Sequence, residues 1–279
     1  MIVIGFSFPI GHDNAVAVID NGKLIFASEE ERFTRHKHSL FEPPLNALKT
    51  AYKFLLKRGI KPKDVDAYAI SYHPSLMILK VRRAAYAGNF RILVKHGINP
   101  ISPIDVNSIS GSVKALPKVA LDYLRGDLIS LSQALIKKAI HDLGEDAPIK
   151  LNIYPVRHHL AHAASAYYFS GFSSAAAIIV DGAGEQESTT IWRIKNGEFE
   201  LVSSVPLRLG SIGVLWEYIS ANLGFSVLEG PGKLMGLAPY GIETAAESYR
   251  IQSTISGLFI TGYDELPYRL LKQSSKVDD

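Results

Sequence analysis

Apolar residues crowd the start of the chain, Ile2-Val3-Ile4-Gly5-Phe6-Ser7, and this short run reads as a strand. Asn14 to Asp20, then Asn21-Gly22, then Lys23 to Ser28 reads as a hairpin closed by a two-residue turn. Pro43-Pro44 precede a helical pattern with Leu45, Leu48, Ala51, Tyr52 and Leu55 on one face, stopped by Gly59. Asp66 to Ser71 returns to a strand. The order strand, hairpin, helix, strand predicts an α/β layered fold.

From His73 to Glu145 the pattern loosens into mixed basic and apolar segments such as Leu79 to Arg91, with a Pro- and Ser-containing stretch at Asn99 to Pro117. This region reads as a helical insertion that shapes specificity, with Arg82, Arg83, Arg91 and Lys95 on a solvated helix surface, the alternative being an anion-attracting face. Ala175 to Val180 reads as a short buried strand that ends at Asp181, where the turn Asp181-Gly182-Ala183-Gly184-Glu185 begins. Thr189 to Ile194, Asn196-Gly197 and Phe199 to Val205 predict a second hairpin. Ser211 to Leu223 predicts an amphipathic helix stopped by Gly224. The two halves begin alike, which implies a duplicated architecture without a residue-level repeat.

Composition narrows the chemistry. With 279 residues, 47% of them hydrophobic, the chain can bury one large or two ordinary cores. A formal charge of +3, from 30 basic and 27 acidic residues, gives no reason to expect nucleic acid as a partner. The absence of cysteine excludes disulfides and thiolate ligands, so any metal must use His, Asp or Glu. Neither a signal peptide nor a membrane span is read, and the expectation is a soluble cytoplasmic protein.

His158-His159-Leu160-Ala161-His162 is the strongest candidate for chemistry. If the segment is helical, His158 and His162 project from one face a turn apart, and with Asp181 they form a set of ligands suited to a divalent transition metal. His159 points elsewhere and suits a supporting or substrate-facing role. Gly182 and Gly184 permit close backbone approach to a phosphate. His12, in the loop Gly11-His12-Asp13-Asn14, suits general-base work, with an ordinary surface residue as the alternative. Lys37, in the charged run Glu29 to His38, suits stabilisation of a phosphate or oxyanion, the alternative being a solvated connection. Lys233 stands in the glycine-rich segment Glu229 to Gly241, which lacks a complete Walker A pattern because no Ser or Thr follows the lysine.

GHDNAVAVIDNGKLIFASEEERFTRHKH, RHHLAHAASAYYFSGFSSAAAIIVDGAGE, SIGVLWEYISANLGF and GPGKLMGLAPYG together resemble the N-terminal part of the carbamoyltransferase family that includes nodulation-factor and antibiotic O-carbamoyltransferases. The resemblance covers about residues 1–72 and 153–241. It implies an actin-like, ribonuclease H-like two-lobed ATPase architecture, similar to the tRNA threonylcarbamoyl-adenosine enzymes. On that pattern the first lobe spans 1–172, with the insertion at about 73–150, and 173–279 begin an incomplete second lobe. The implied activity uses ATP and carbamoyl phosphate to form carbamoyl adenylate, then transfers the carbamoyl group to a hydroxyl of a small-molecule or sugar acceptor, as in natural-product biosynthesis. His158, His162 and Asp181 match ligands of an iron-type divalent metal. His12 matches the base for the acceptor hydroxyl and Lys37 a lysine near the reacting group, while Gly182, Gly184 and Lys233 fall in segments that approach the nucleotide.

Family members run to roughly twice this length. The fourth metal ligand, much of the second lobe and the carbamoyl-phosphate domain have no counterpart here, so the resemblance implies an incomplete enzyme, with a separate C-terminal polypeptide as one candidate partner. The alternative is a non-catalytic nucleotide- and metal-binding or regulatory module. A sugar-kinase-like phosphotransferase is disfavoured because that chemistry does not need the histidine pair.

Overall fold

The protein is described by a computed structural model. It covers residues 1–8, 12–98, 117, 120–207, 210–226 and 229–241, and the backbone of 250–254 and 257–261. The chain divides into two units, Met1–His158 and His159–Asp279, each built around its own sheet.

In the first unit, β1 (Ile2–Phe6), β2 (Ala15–Asp20), β3 (Lys23–Glu29), β4 (Ala67–Ile70) and β5 (Ile153–Pro155) form a mixed sheet in the order β3-β2-β1-β4-β5. Strands β1 to β3 run antiparallel, whereas β4 and β5 are parallel to β1. Asn21 and Gly22 close the predicted hairpin with φ of 47° and 80°, the left-handed pair that a tight hairpin turn needs. Period-two alternation sends Ile2, Ile4 and Phe6 of β1 and Val16 and Val18 of β2 into the core, so register is fixed by which face must leave water.

Helices α1 (Leu45–Leu56), α2 (Leu79–Lys95) and α3 (Leu128–His141) contribute to this core. The buried face of α1 comprises Ala47, Leu48, Ala51, Tyr52 and Leu55, close to the stripe read from the sequence. Helix α3 lies within the predicted insertion yet contributes Leu128, Leu131, Leu135, Ile136, Ala139 and Ile140 to the same core. The Ser/Pro stretch of that insertion lies outside the described residues from 99 to 116. The hydroxyls of Tyr52 and Tyr68 pair at 2.6 Å inside the core, and burial pushes the Tyr68 phenol up to about 12.

Glu30 is the buried exception in a segment read as solvated. Pro44 offers α1 no side-chain cap. Instead the Glu30 carboxylate accepts from the Asn46 and Ala47 backbone N–H groups at 3.1 and 2.8 Å, and from Asn46 Nδ2 at 2.7 Å. Burial raises its pKa, opposed by those hydrogen bonds.

In the second unit, β6 (Ser174–Val180), β7 (Glu187–Lys195) and β8 (Glu198–Pro206) make an antiparallel sheet in that order. Asn196 and Gly197, at φ of 51° and 82°, close the second predicted hairpin. Helix α4 (His158–Ser170) begins one residue before the division between the units and buries Ala163 and Tyr167 against Trp192 and Ile194. This helix places its apolar side on the second sheet. Helices α5 (Ile212–Asn222) and α6 (Gly230–Leu237) and the hairpin β9 (Arg250–Thr254) and β10 (Gly257–Thr261) follow.

Strand β6 is not fully buried, contrary to the sequence reading. Ala175, Ala177 and Ile179 face the core, while Ile178 and Val180 on the other face remain 66% and 50% exposed. An apolar run can be covered on one side only, and sequence alone does not distinguish the two cases. Among the described residues, no helix is long and apolar enough to cross a membrane.

Replacing Glu30 with Ala leaves first-turn N–H groups of α1 without their acceptor and is expected to lower the unfolding free energy by about 1–3 kcal/mol. The raised folded pKa fixes the pH effect. The contribution of Glu30 titration to stability is full below the ordinary value of 4.5 and is lost as pH rises through the folded value. Urea unfolding across mildly acidic pH should show this decline in the wild type and a flatter profile in Glu30→Gln.

Candidate functional site

The turn after β6 is held by its backbone. The Asp181 N–H donates to the Ser188 carbonyl at 3.0 Å and the Gly184 N–H to the Glu187 carbonyl at 2.8 Å. Ser211 caps α5 by accepting from the Val214 N–H at 3.1 Å, and its hydroxyl donates to the Asp181 carbonyl at 2.9 Å. One residue carries both the helix start and the turn. A Cβ on Gly213 would lie 2.6 Å from Gly182 N and 2.8 Å from Asp181 C, so only glycine lets the first turn of α5 rest on this backbone.

His158 and His162 sit one turn apart on α4, as the spacing predicted, and Asp181 stands at the end of β6. The three each offer a ligand atom, all within 4.8 Å of one another, and His162 Nε2 lies 3.6 Å from Asp181 Oδ2. Asp181 Oδ1 accepts from the Gly182 N–H at 2.7 Å, which holds the carboxylate against its own turn. His158 Nδ1 donates to the Ser71 carbonyl at 3.1 Å, so the neutral ring carries its lone pair on Nε2. Two imidazoles and a carboxylate at this spacing fit a divalent transition metal.

His159 is fully buried, with Nδ1 3.1 Å from Thr190 Oγ1, and that oxygen also accepts from Trp192 Nε1 at 2.8 Å. Its Nε2 stands 4.0 Å from Asp181 Oδ2, so it borders the cluster from the core side. A Cβ on Gly184 would lie 3.0 Å from the His159 ring, tying the second glycine of the turn to this packing.

In the first unit, His12 and Lys37 belong to two loops that meet. Asp13 donates its N–H to the His38 carbonyl at 2.6 Å. Its carboxylate lies between two rings, His12 Nδ1 at 2.8 Å and His38 Nδ1 at 2.7 Å. Partial burial raises the Asp13 pKa, but hydrogen bonds from His38 and His12 outweigh it and hold the carboxyl below its ordinary value. Lys37 opens the single helical turn Lys37–Ser39 and is exposed. The pairing of Asp13 with His38 is not legible in the sequence because it crosses 25 residues.

Gly182 lies beside Glu217 of α5, whose Oε1 would be 3.4 Å from a Cβ at that glycine, an acidic neighbour that the sequence did not suggest. The glycine-rich segment around Lys233 forms α6 and the short turn Ala238–Tyr240. Gly230 serves packing, because a Cβ there would collide with Ser220 Oγ and approach Phe225 Cβ to 2.9 Å. Lys233 Nζ pairs with Glu229 at 3.0 Å on the exposed side of α6.

The family model described as Carbamoyltransferase N-terminus matches residues 3–273. The chain belongs to this carbamoyltransferase family. It is 30% identical over 236 residues to the uncharacterized protein sll1178 of Synechocystis, covering 82% of this chain and 33% of that protein. It is 27% identical over 231 residues to nodulation protein NolNO of Sinorhizobium fredii, covering 82% and 28%. It thus spans about a third of the length of the curated relatives it matches. YeaZ from Pseudomonas aeruginosa aligns over 76% of this chain and 69% of that one, at 13% identity and a TM-score of 0.30, a likeness too distant to bear on the fold or the site.

Gly213→Ala forces α5 off the Asp181–Gly182 backbone and is expected to cost about 1–3 kcal/mol, because the obstructing atoms are main chain and cannot rotate away. Chemical denaturation measures the loss. Ser211→Ala, which removes a cap and a turn contact without a clash, should cost less, about 1 kcal/mol.

Proposed function

We propose that this chain is the metal- and nucleotide-binding N-terminal portion of an ATP-dependent O-carbamoyltransferase. The observation that carries the reading is the convergence of His158, His162 and Asp181 in a chain of the carbamoyltransferase family. The substrates are ATP, carbamoyl phosphate and water, which give carbamoyl adenylate with release of inorganic phosphate from carbamoyl phosphate and of pyrophosphate from ATP, and the acceptor is a hydroxyl of a small molecule or sugar.

His158, His162 and Asp181 hold the divalent ion, with iron as the preferred candidate. When bound, such an ion supplies Lewis acidity and a template for the reacting oxygens. The backbone around Gly182 and Gly184 receives the nucleotide, and Lys233 belongs to the same nucleotide-binding portion. Lys37 offsets negative charge as it grows on the leaving group. His12 removes the proton from the acceptor hydroxyl. The acceptor oxygen then bonds to the carbamoyl carbon, and the bond from that carbon to the phosphate oxygen of AMP breaks, with AMP taking the electron pair.

The chain spans about a third of its relatives, and the complete activity is assigned to this portion together with a C-terminal polypeptide. The second reading is a non-catalytic nucleotide- and metal-binding or regulatory module.

The test combines ATP, carbamoyl phosphate and Fe(II) with the protein, with and without the C-terminal polypeptide of a relative, and follows carbamoyl adenylate by mass spectrometry. Product that depends on His12 and Lys37 supports the transferase. Metal and nucleotide binding with no product under any combination supports the module. In parallel, His158→Ala and Asp181→Asn are expected to weaken metal binding by at least about tenfold in a direct titration. Unchanged affinity in both variants removes the proposed metal centre.

A further inference from the structure

We infer that Asp13 is the positioning residue for His12 and that His38 anchors it, a His12–Asp13–His38 relay in which the carboxylate sets the tautomer of the base. The inference deepens the role given to His12 above and rests on that reading for its catalytic meaning, although the tautomer itself does not.

The geometry fixes who donates. An ionised carboxylate only accepts, so rings at 2.8 and 2.7 Å from its two oxygens must each present an Nδ1–H. His12 in its neutral form then carries its lone pair on Nε2, the atom that a base must offer. In the transfer step the acceptor O–H bond breaks and its proton bonds to His12 Nε2. The freed electron pair stays on oxygen to form the new C–O bond, while Nδ1–H stays on His12 and Asp13 remains a carboxylate.

The two imidazoles are not equivalent. The His12 side chain is 45% exposed and can meet a substrate. Among the described residues, His38 Nε2 is buried without a hydrogen-bond partner, so a proton placed there finds no acceptor among them. His38 therefore serves as a fixed donor that holds Asp13 Oδ1 and turns Oδ2 toward His12. The backbone repeats the constraint. Asp13 and His38, at φ of 50° and 61°, both adopt the left-handed region. They are held there by the Asp13 N–H to His38 carbonyl bond of 2.6 Å, by the His38 N–H to Glu31 Oε2 bond of 2.8 Å, and by Ser7 Oγ donating to the Asp13 carbonyl at 3.1 Å.

Side-chain nitrogen NMR on the 15N-labelled chain reads the tautomer directly. His12 is expected as the Nδ1–H form. It should shift toward the Nε2–H form in Asp13→Asn, a substitution that tolerates the left-handed backbone and is isosteric. With the C-terminal polypeptide present, Asp13→Asn should lower kcat about 10²- to 10⁴-fold, with the KM for ATP unchanged. His38→Leu should loosen the tautomer preference and cost kcat about tenfold, whereas His38→Gln, which keeps a donor, should recover most of it. An Nε2–H His12 in the wild type, or a tautomer unmoved in folded Asp13→Asn, overturns the inference. Failure of wild-type carbamoyl transfer counts against the proposed function and leaves the NMR result to decide the relay.

Discussion

Helix α4 has to satisfy two demands with one periodicity. Its stripe at 159, 163 and 167 must leave water against the second sheet, which it does through His159, Ala163 and Tyr167. One residue earlier on the wheel, about 100° around the axis, His158 and His162 must stay available beside Asp181. Burying the first stripe therefore aims the second. The apolar packing and the ligand geometry cannot be tuned apart, and this explains why a buried imidazole at 159 lies beside two accessible ones.

The counterpart of that helix is the turn it faces. Asp181 is held by a strand behind it, by the Gly182 N–H on its own carboxylate, and by Ser211 and Gly213 at the start of α5. A carboxylate on an unsupported loop would lose the ordering entropy that such contacts remove in advance. Backbone support of this kind suits a ligand, because little rearrangement remains when an ion arrives.

The sequence disclosed what short-range chemistry controls. Both Asn-Gly hairpins, the apolar face of α1 and the spacing of His158 and His162 follow from local periodicity and from residues that tolerate positive φ. It concealed what depends on partners far along the chain. Glu30 appeared to be one of several solvated acids, yet it substitutes for the missing cap of α1 at Asn46 and Ala47. Asp13 and His38 acquire meaning only when their two loops meet. The glycine-rich segment around Lys233 did not disclose its packing role, which is that Gly230 is small so that α6 can lie against α5. Strand β6 shows the limit of composition, since an apolar run records what a face would tolerate and not what covers it.

That strand has a cost for the chain as a material. Among the described residues, β6 lies at the edge of its sheet, so one side of its backbone carries a row of N–H and C=O groups open to a new strand. The same seven residues, Ser174 to Val180, contain no charge and no proline and expose Ile178 and Val180. An open edge beside an uncovered apolar face is a template for intermolecular sheet growth. This strip of β6 is a surface feature that favours self-association at high concentration, and net charge and mean hydropathy do not report it.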